Sequence, residues 1–250
     1  MLILGGTTEA RQLAERLSSR RDLDVTLSLA GRTHNPVPHP VPLRVGGFGG
    51  AEGLAAHLTA ARIDRLIDAT HPYAAVMSGN AARAAQISGV PLLALRRPPW
   101  TEVAGDRWTL VADTRAAAQA LGAAPRSVFL ALGRNEIAAF ETAPQHRYLV
   151  RSVDPVEPPL AVPHAIYIQA RGPFGEADDR ALLAAHAIDA VVSKNSGGAA
   201  AYGKIAAARA LGVAVILLRR PVLSDVPAVA TIDAAVAWLD HGPTSPARGV

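Results

Sequence analysis

Apolar residues recur along this chain in two alternating rhythms, beginning at the first residue. Leu2-Ile3-Leu4 is a short run without a polar break, the pattern of a strand buried on both faces. Past Gly5-Gly6 the spacing becomes helical, with Ala10, Leu13, Ala14 and Leu17 on one face and Thr7 or Thr8 placed to cap it. The same exchange of short apolar runs and helical stretches continues through Val25-Leu29, Trp108-Leu121, Val128-Gly133, Tyr148-Val150 and Val229-Leu239. Strands that alternate with helices in this way predict parallel sheets joined by right-handed crossovers.

The pattern occurs twice. Ile63-Asp64 through Gly89-Val90-Pro91-Leu92-Leu93-Ala94-Leu95-Arg96-Arg97-Pro98 parallels Ile188-Asp189 through Gly212-Val213-Ala214-Val215-Ile216-Leu217-Leu218-Arg219-Arg220-Pro221. Upstream, Leu43-Arg44-Val45-Gly46-Gly47-Phe48-Gly49 parallels Ile168-Gln169-Ala170-Arg171-Gly172-Pro173-Phe174-Gly175, and each follows a proline-rich loop. The expected fold is α/β, with two Rossmann-like domains whose parallel sheets are related by an internal repeat. They are expected at residues 1–122 and 126–240, followed by a tail at 241–250. The segment after Arg97-Pro98 could join either sheet.

Composition narrows the chemistry. Half of the 250 residues are hydrophobic, enough for a substantial core. The absence of cysteine excludes disulfides, thiolate metal sites and cysteine nucleophiles, and suits a reducing cytoplasm. Met1 runs straight into the first strand, so no signal peptide is expected, and no apolar run approaches a membrane span. The net charge of +4 is carried almost wholly by scattered or paired arginines, with Lys194 and Lys204 the only lysines. That distribution favours a phosphate-bearing cofactor or a polyanionic small substrate over nucleic acid.

Ligands of open parallel sheets bind beyond the carboxyl ends of the strands. At the first such end, Gly5 and Ala10 match the first and third positions of the dinucleotide fingerprint, while Thr7 stands in place of the second glycine. The second strand ends Ser28-Leu29-Ala30-Gly31-Arg32, without the acid that would hold a ribose 2′-hydroxyl. An arginine there favours a 2′-phosphate, and hence NADP(H). Asp68-Ala69-Thr70-His71-Pro72-Tyr73 leaves the fourth strand for a helix, with Thr70 as its cap and Pro72 in an early position. His71 would lie at the mouth of the nucleotide site, and no second histidine stands at metal-ligand spacing from it. In the second half, Ser193-Lys194-Asn195-Ser196-Gly197-Gly198 combines glycines, polar side chains and a rare lysine, which suits anion capture. Its first turn, Leu132-Gly133-Arg134-Asn135-Glu136, has one glycine, so the dinucleotide is expected in the first half.

Together, Gly5-Gly6-Thr7-Thr8-Glu9-Ala10, Ser28 to Thr33, Val45 to Gly50, Asp68 to Tyr73, Ala170 to Phe174 and Ser193 to Gly198 resemble the precorrin-6A reductase family of cobalamin biosynthesis. The family often has Phe where this chain has Tyr73, and Thr where it has Ser193. The resemblance implies hydride transfer from NADPH to precorrin-6A, an anionic tetrapyrrole, in the cleft between the halves, giving precorrin-6B. Gly5, Gly6, Thr7, Thr8, Ser28, Gly31, Arg32, Gly47, Phe48, Thr70, His71 and Pro72 are then expected to hold the cofactor. Arg171, Lys194, Asn195, Ser196, Gly197 and Tyr202 are expected to hold the substrate, with His71, Tyr73 and Lys194 as catalytic candidates. No metal and no nucleic-acid or membrane partner is expected, and the protein is expected to act as a monomer. The alternatives are a non-enzymatic NADP(H) sensor, or an NADP-dependent reductase of another polycarboxylate, including cobalt-precorrin-6A.

Overall fold

A computed structural model describes residues 1–30 and 39–241. The first half of the chain supplies β1 (Leu2–Leu4), α1 (Thr8–Leu17), β2 (Thr26–Leu29), β3 (Leu43–Val45), α2 (Gly50–Ala60), β4 (Leu66–Asp68), α3 (Ala75–Ser88) and β5 (Leu92–Leu95). There follow β6 (Trp108–Val111), α4 (Thr114–Ala120), β7 (Ser127–Ala131), β8 (Arg147–Ser152), β9 (Ala165–Gln169), α5 (Glu176–Ala185), β10 (Ala190–Lys194), α6 (Gly203–Leu211), β11 (Ala214–Leu218), β12 (Ala228–Val229) and α7 (Ile232–His241).

These form two parallel six-stranded sheets, ordered β12-β5-β4-β1-β2-β3 and β6-β11-β10-β7-β8-β9. They run outward in both directions from β1 and β7, the doubly wound order whose switch point lies between β1 and β4 in one sheet and β7 and β10 in the other. The two sheets exchange their sixth strands. Ala228 and Val229 pair with Ala94 and Leu95, while Trp108 to Val111 pair with Val215 to Leu218. The chain accordingly divides into one unit of residues 1–98 and 221–250 and another of residues 99–220. The boundary expected between 122 and 126 does not fall there, because β6 and α4 belong to the second sheet, and β12 and α7 to the first. Proline follows each crossing arginine pair, at Pro98-Pro99 and Pro221, and lacks the N–H needed to prolong the preceding strand. Of the expected tail, only His241 is described, and it ends α7.

In the first unit, Leu2 and Leu4 point to one side of β1 and Ile3 to the other, because side chains alternate along a strand. Ile3, Leu27, Ile67 and Leu93 pack with Ala10, Leu13, Leu17, Ala235 and Leu239, so α1 and α7 cover that face. Leu2, Leu4, Leu66 and Leu92 pack with Leu54, Leu58, Ala81 and Ala84 of α2 and α3 on the other. In the second unit, α5 and α6 cover one face through Leu183, Ile205, Ala207 and Ala208 against Phe129, Leu149, Val191 and Val215. The helix expected after β7 is a single 3₁₀ segment, Ile137–Thr142. Pro144 follows two residues later and blocks its extension.

The register reveals where the repeat has diverged. Leu2 lies opposite Thr26 and Leu66, and Phe129 opposite Leu149 and Val191, which makes Ser28 the counterpart of Arg151 and Arg44 the counterpart of Ile168. Counting back from the left-handed capping glycines Gly89 and Gly212 makes Ala81 the counterpart of Lys204. The second unit thus buries charge where the first buries a hydroxyl and a methyl group.

Candidate nucleotide and substrate sites

The turn after β1 is shaped by close packing. A Cβ on Gly5 would lie 2.7 Å from Leu27 Cδ1 and 3.3 Å from Ala10 Cβ, so the strand-to-helix approach requires glycine there. Gly6 has φ +110°, and a Cβ on it would meet nothing within 4 Å. The left-handed backbone at Gly6 thus leaves open space beside the start of α1. Thr7 caps the helix by accepting from Ala10 N at 3.1 Å, and its hydroxyl donates to Ala69 O at 2.8 Å. One side chain therefore ties α1 to the exit of β4 across the switch point. Thr8 is exposed in the first turn. Glu9, also in that turn, pairs with Arg97.

A depression lies over these strand ends, lined by Leu4, Gly5, Ser28, Ala30, Gly46, Gly47, Phe48, Thr70 and Met77. It brings five of the expected cofactor residues together, namely Gly5, Ser28, Gly47, Phe48 and Thr70. Gly31 and Arg32 lie outside the described residues. Arg44, which sequence reasoning missed, braces the wall of the depression. Its Nη1 donates to Gly46 O at 2.6 Å, its Nη2 to Gly47 O at 2.8 Å, and its Cζ sits 3.7 Å above the centre of the Phe48 ring. Phe48 in turn contacts His57, whose pKa is lowered first by burial and then by the charge of Arg44.

The loop after β4 differs from its expected form. Thr70 does not cap α3, because its hydroxyl donates to Asp68 Oδ1 at 2.6 Å, and Ala74 is the residue at the cap position. Asp68 is buried and also accepts from Thr70 N at 3.1 Å and, through Oδ2, from Ser78 Oγ at 2.6 Å. The carboxylate therefore folds residues 68–78 around itself. Pro72 is buried before the helix rather than within it. His71 and Tyr73 are half-buried, with ring centres 5.6 Å apart. His71 Nδ1 accepts from Tyr73 N at 3.3 Å, which leaves the proton of the neutral ring on Nε2.

In the second unit the corresponding first turn is closed. Gly133 N donates to Glu136 Oε2 at 3.0 Å, and the same carboxylate lies 2.6 Å from Lys194 Nζ. A fixed carboxylate occupies the amide that a phosphate would need, and no α-helix follows to add its dipole. Asn195 was expected to bind substrate, but it pins the incoming chain: Oδ1 accepts from Trp100 N at 2.7 Å and Nδ2 donates to Trp100 O at 2.9 Å. Arg220 Nε and Nη2 hold the carbonyls of Asn195 and Ser196 at 2.9 and 3.0 Å. Gly197 is buried with φ +69°. The Tyr202 hydroxyl accepts from Arg209 Nη2, and its ring lies 5.7 Å from that of Trp100. Arg171 is exposed after β9, on a loop joined to the turn before α6 by Phe174 N donating to Ala200 O at 3.1 Å.

Beneath these loops lies a buried charged cluster that the sequence did not announce. Arg151 pairs with Asp179 and stacks 3.6 Å over Phe174. Lys204 Nζ donates to Ala201 O at 2.6 Å and lies 5.0 Å from the centre of the Trp100 ring. Burial, joined by the charge of Arg151 and opposed in part by Asp179, lowers the Lys204 pKa to about 7. The only available signal was the scarcity of lysine. Among the described residues no group of three or more metal-ligating side chains forms, and no helix is long and apolar enough to cross a membrane.

The comparisons with known proteins cover the whole of this architecture. The family model for precorrin-6x reductase CbiJ/CobK matches residues 1–240. A precorrin-6A reductase of Sinorhizobium sp is 56% identical over 241 residues, covering 96% of this chain and 92% of the relative. That of Rhodobacter capsulatus is 50% identical over 251 residues, covering 100% and 99%. A solved structure described as CobK precorrin-6A reductase superimposes with a TM-score of 0.93 at 49% identity, covering 100% of this chain and 98% of its own. The chain belongs to the precorrin-6x reductase family of oxidoreductases.

Proposed function

We propose that this protein reduces the macrocycle of precorrin-6A to precorrin-6B with NADPH, in the biosynthesis of cobalamin. The observation that carries the cofactor half of this reading is the contrast between the two first turns. A Cβ on Gly6 would meet nothing within 4 Å ahead of a capped α-helix, whereas the amide of Gly133 already donates to the carboxylate of Glu136. The residues of the first unit suit a dinucleotide: Gly5, Gly6 and the first turn of α1 for the pyrophosphate, Ser28, Gly31 and Arg32 for the ribose end, and Gly47 and Phe48 for the wall. Bound NADPH supplies a hydride, and one ring double bond of the substrate takes it up together with a proton.

Thr70 and Pro72 fix the loop that carries His71 and Tyr73, and Asp68 holds that loop in shape. His71, with its proton on Nε2, is the first-unit group best prepared to orient a polar atom of either ligand. In the second unit, Arg171, Lys194 and Ser196 are assigned to the substrate's acetate and propionate groups. Lys194 would exchange Glu136 for a ligand carboxylate, while Asn195 and Tyr202 support the loops around it. The deciding experiment follows NADPH oxidation by absorbance with precorrin-6A, with its cobalt form and without substrate. Oxidation that depends on precorrin-6A supports the proposal. NADPH binding without turnover of either macrocycle would identify a sensor, and turnover of the cobalt form alone would reassign the substrate.

A further inference from the structure

Among the described residues, the depression over the strand ends in the first unit has an uncharged lining. Arg44 reaches it from β3, where the twin strand of the second unit carries Ile168 at the same register. Its guanidinium touches Gly46, Gly47 and Phe48 of that lining and reaches Ser28 Oγ at 3.5 Å. All of these partners are neutral, and among the described residues no carboxylate pairs with Arg44. A guanidinium has five donors, and the bonds to Ser28, Gly46 and Gly47 use three. The pKa of His57 is lowered first by burial and then by the charge of Arg44. A half-buried, uncompensated cation with donors to spare, set beside the ends of β2 and β3, is an incomplete anion site.

We propose that Arg44 is the specificity-determining residue that distinguishes a 2′-phosphorylated nucleotide from its unphosphorylated counterpart, by binding the ribose phosphomonoester directly. This rests on the reading of the first unit as the dinucleotide site. It goes further in assigning the selection to a strand residue held rigid by the loop it braces, rather than to Arg32 alone. The bracing holds the guanidinium in place, because the carbonyls of Gly46 and Gly47 each accept from one of its nitrogens.

Calorimetric titration of the full-length protein with 2′,5′-ADP and with 5′-AMP tests the assignment without turnover. Arg44→Gln removes the charge while keeping an amide that can hold the loop carbonyls, and binding of 5′-AMP reports that the site remains folded. The expected result is a loss of about tenfold or more in affinity for 2′,5′-ADP, with 5′-AMP changed less than about twofold. The salt dependence of 2′,5′-ADP binding should weaken in parallel. Equal losses for both ligands would reduce Arg44 to a loop brace and overturn the proposal. So would full discrimination in Arg44→Gln that disappears in Arg32→Ala, which would place the whole selection on Arg32. Wild-type protein that binds neither ligand would overturn the nucleotide reading itself, and this assignment with it.

Discussion

Lys204 is 4% exposed, and its ammonium has one carbonyl and one aromatic face for company. In the folded protein its pKa falls from the usual 10.5 to about 7, while in the unfolded chain it regains the higher value. Between those two pH values the unfolded state binds more protons, so the contribution of this group to stability rises as pH rises. Its cost is full below about pH 7 and gone above 10.5, with a ceiling of roughly 5 kcal/mol at about 1.4 kcal/mol for each unit of pKa displacement. Lys204→Met keeps most of the stem's volume and removes the charge, at the loss of one hydrogen bond to Ala201 O worth about 1 kcal/mol. The variant should therefore be more stable than wild type near pH 6.5, by roughly 1–4 kcal/mol. That advantage should shrink by about 1.4 kcal/mol per pH unit from pH 7 towards pH 9. Urea unfolding of the full chain at half-unit pH steps, followed by tryptophan fluorescence, measures both quantities. Parallel pH profiles for the two proteins would refute the reasoning, because they would mean that Lys204 keeps its proton in the fold and is solvated or paired.

Four further outcomes are expected. Gly53→Ala would place a Cβ 1.8 Å from Phe48 O, so the first unit should lose about 3 kcal/mol or more in thermal or urea unfolding, with nucleotide affinity falling alongside. Asp68→Ala deprives Thr70 and Ser78 of three hydrogen bonds to a buried carboxylate and should cost about 3 kcal/mol; a cost under about 1 kcal/mol would mean that the 68–78 loop is held by other means. His71→Ala should lower kcat about tenfold or more and weaken the Kd for NADPH by a smaller factor, as measured by stopped-flow and by calorimetry. Tyr148 is buried with its hydroxyl donating to Ala143 O at 2.8 Å, and burial pushes its pKa up to about 12. Absorbance titration of the folded protein should accordingly show Tyr148 still protonated at about pH 11, with Tyr148→Phe removing that late step.

Much of the first unit's site was legible because its determinants are local. The spacing of Ala10, Leu13, Ala14 and Leu17 reports a helix face, Thr7 caps within three residues of its partner, and Gly5 answers to a turn its neighbours define. The repeat then carried that reading to the second half, where Glu136 was visible in the sequence but its bonds to Gly133 and Lys194 were not. Thr70 was misread because its hydroxyl donates to Asp68 rather than accepting from a helix amide, and only the fold brings Asp68 and Ser78 together.

By itself, then, the order of apolar and polar residues determined the class of fold, the number of strands in each repeat and the loops that line each strand-end surface. Periodicity records that a segment is buried, but not which segment buries it. That is why the exchange of β6 and β12, the lock of Asn195 on Trp100 and the clustering of Arg151, Asp179 and Lys204 were left to the tertiary structure. Each depends on partners many residues apart, and a lone arginine or lysine reads alike in sequence whether water or a carboxylate solvates it. Arg44 is the same case: its place came into view only when folding set it against Gly46, Gly47 and Phe48 at the strand ends.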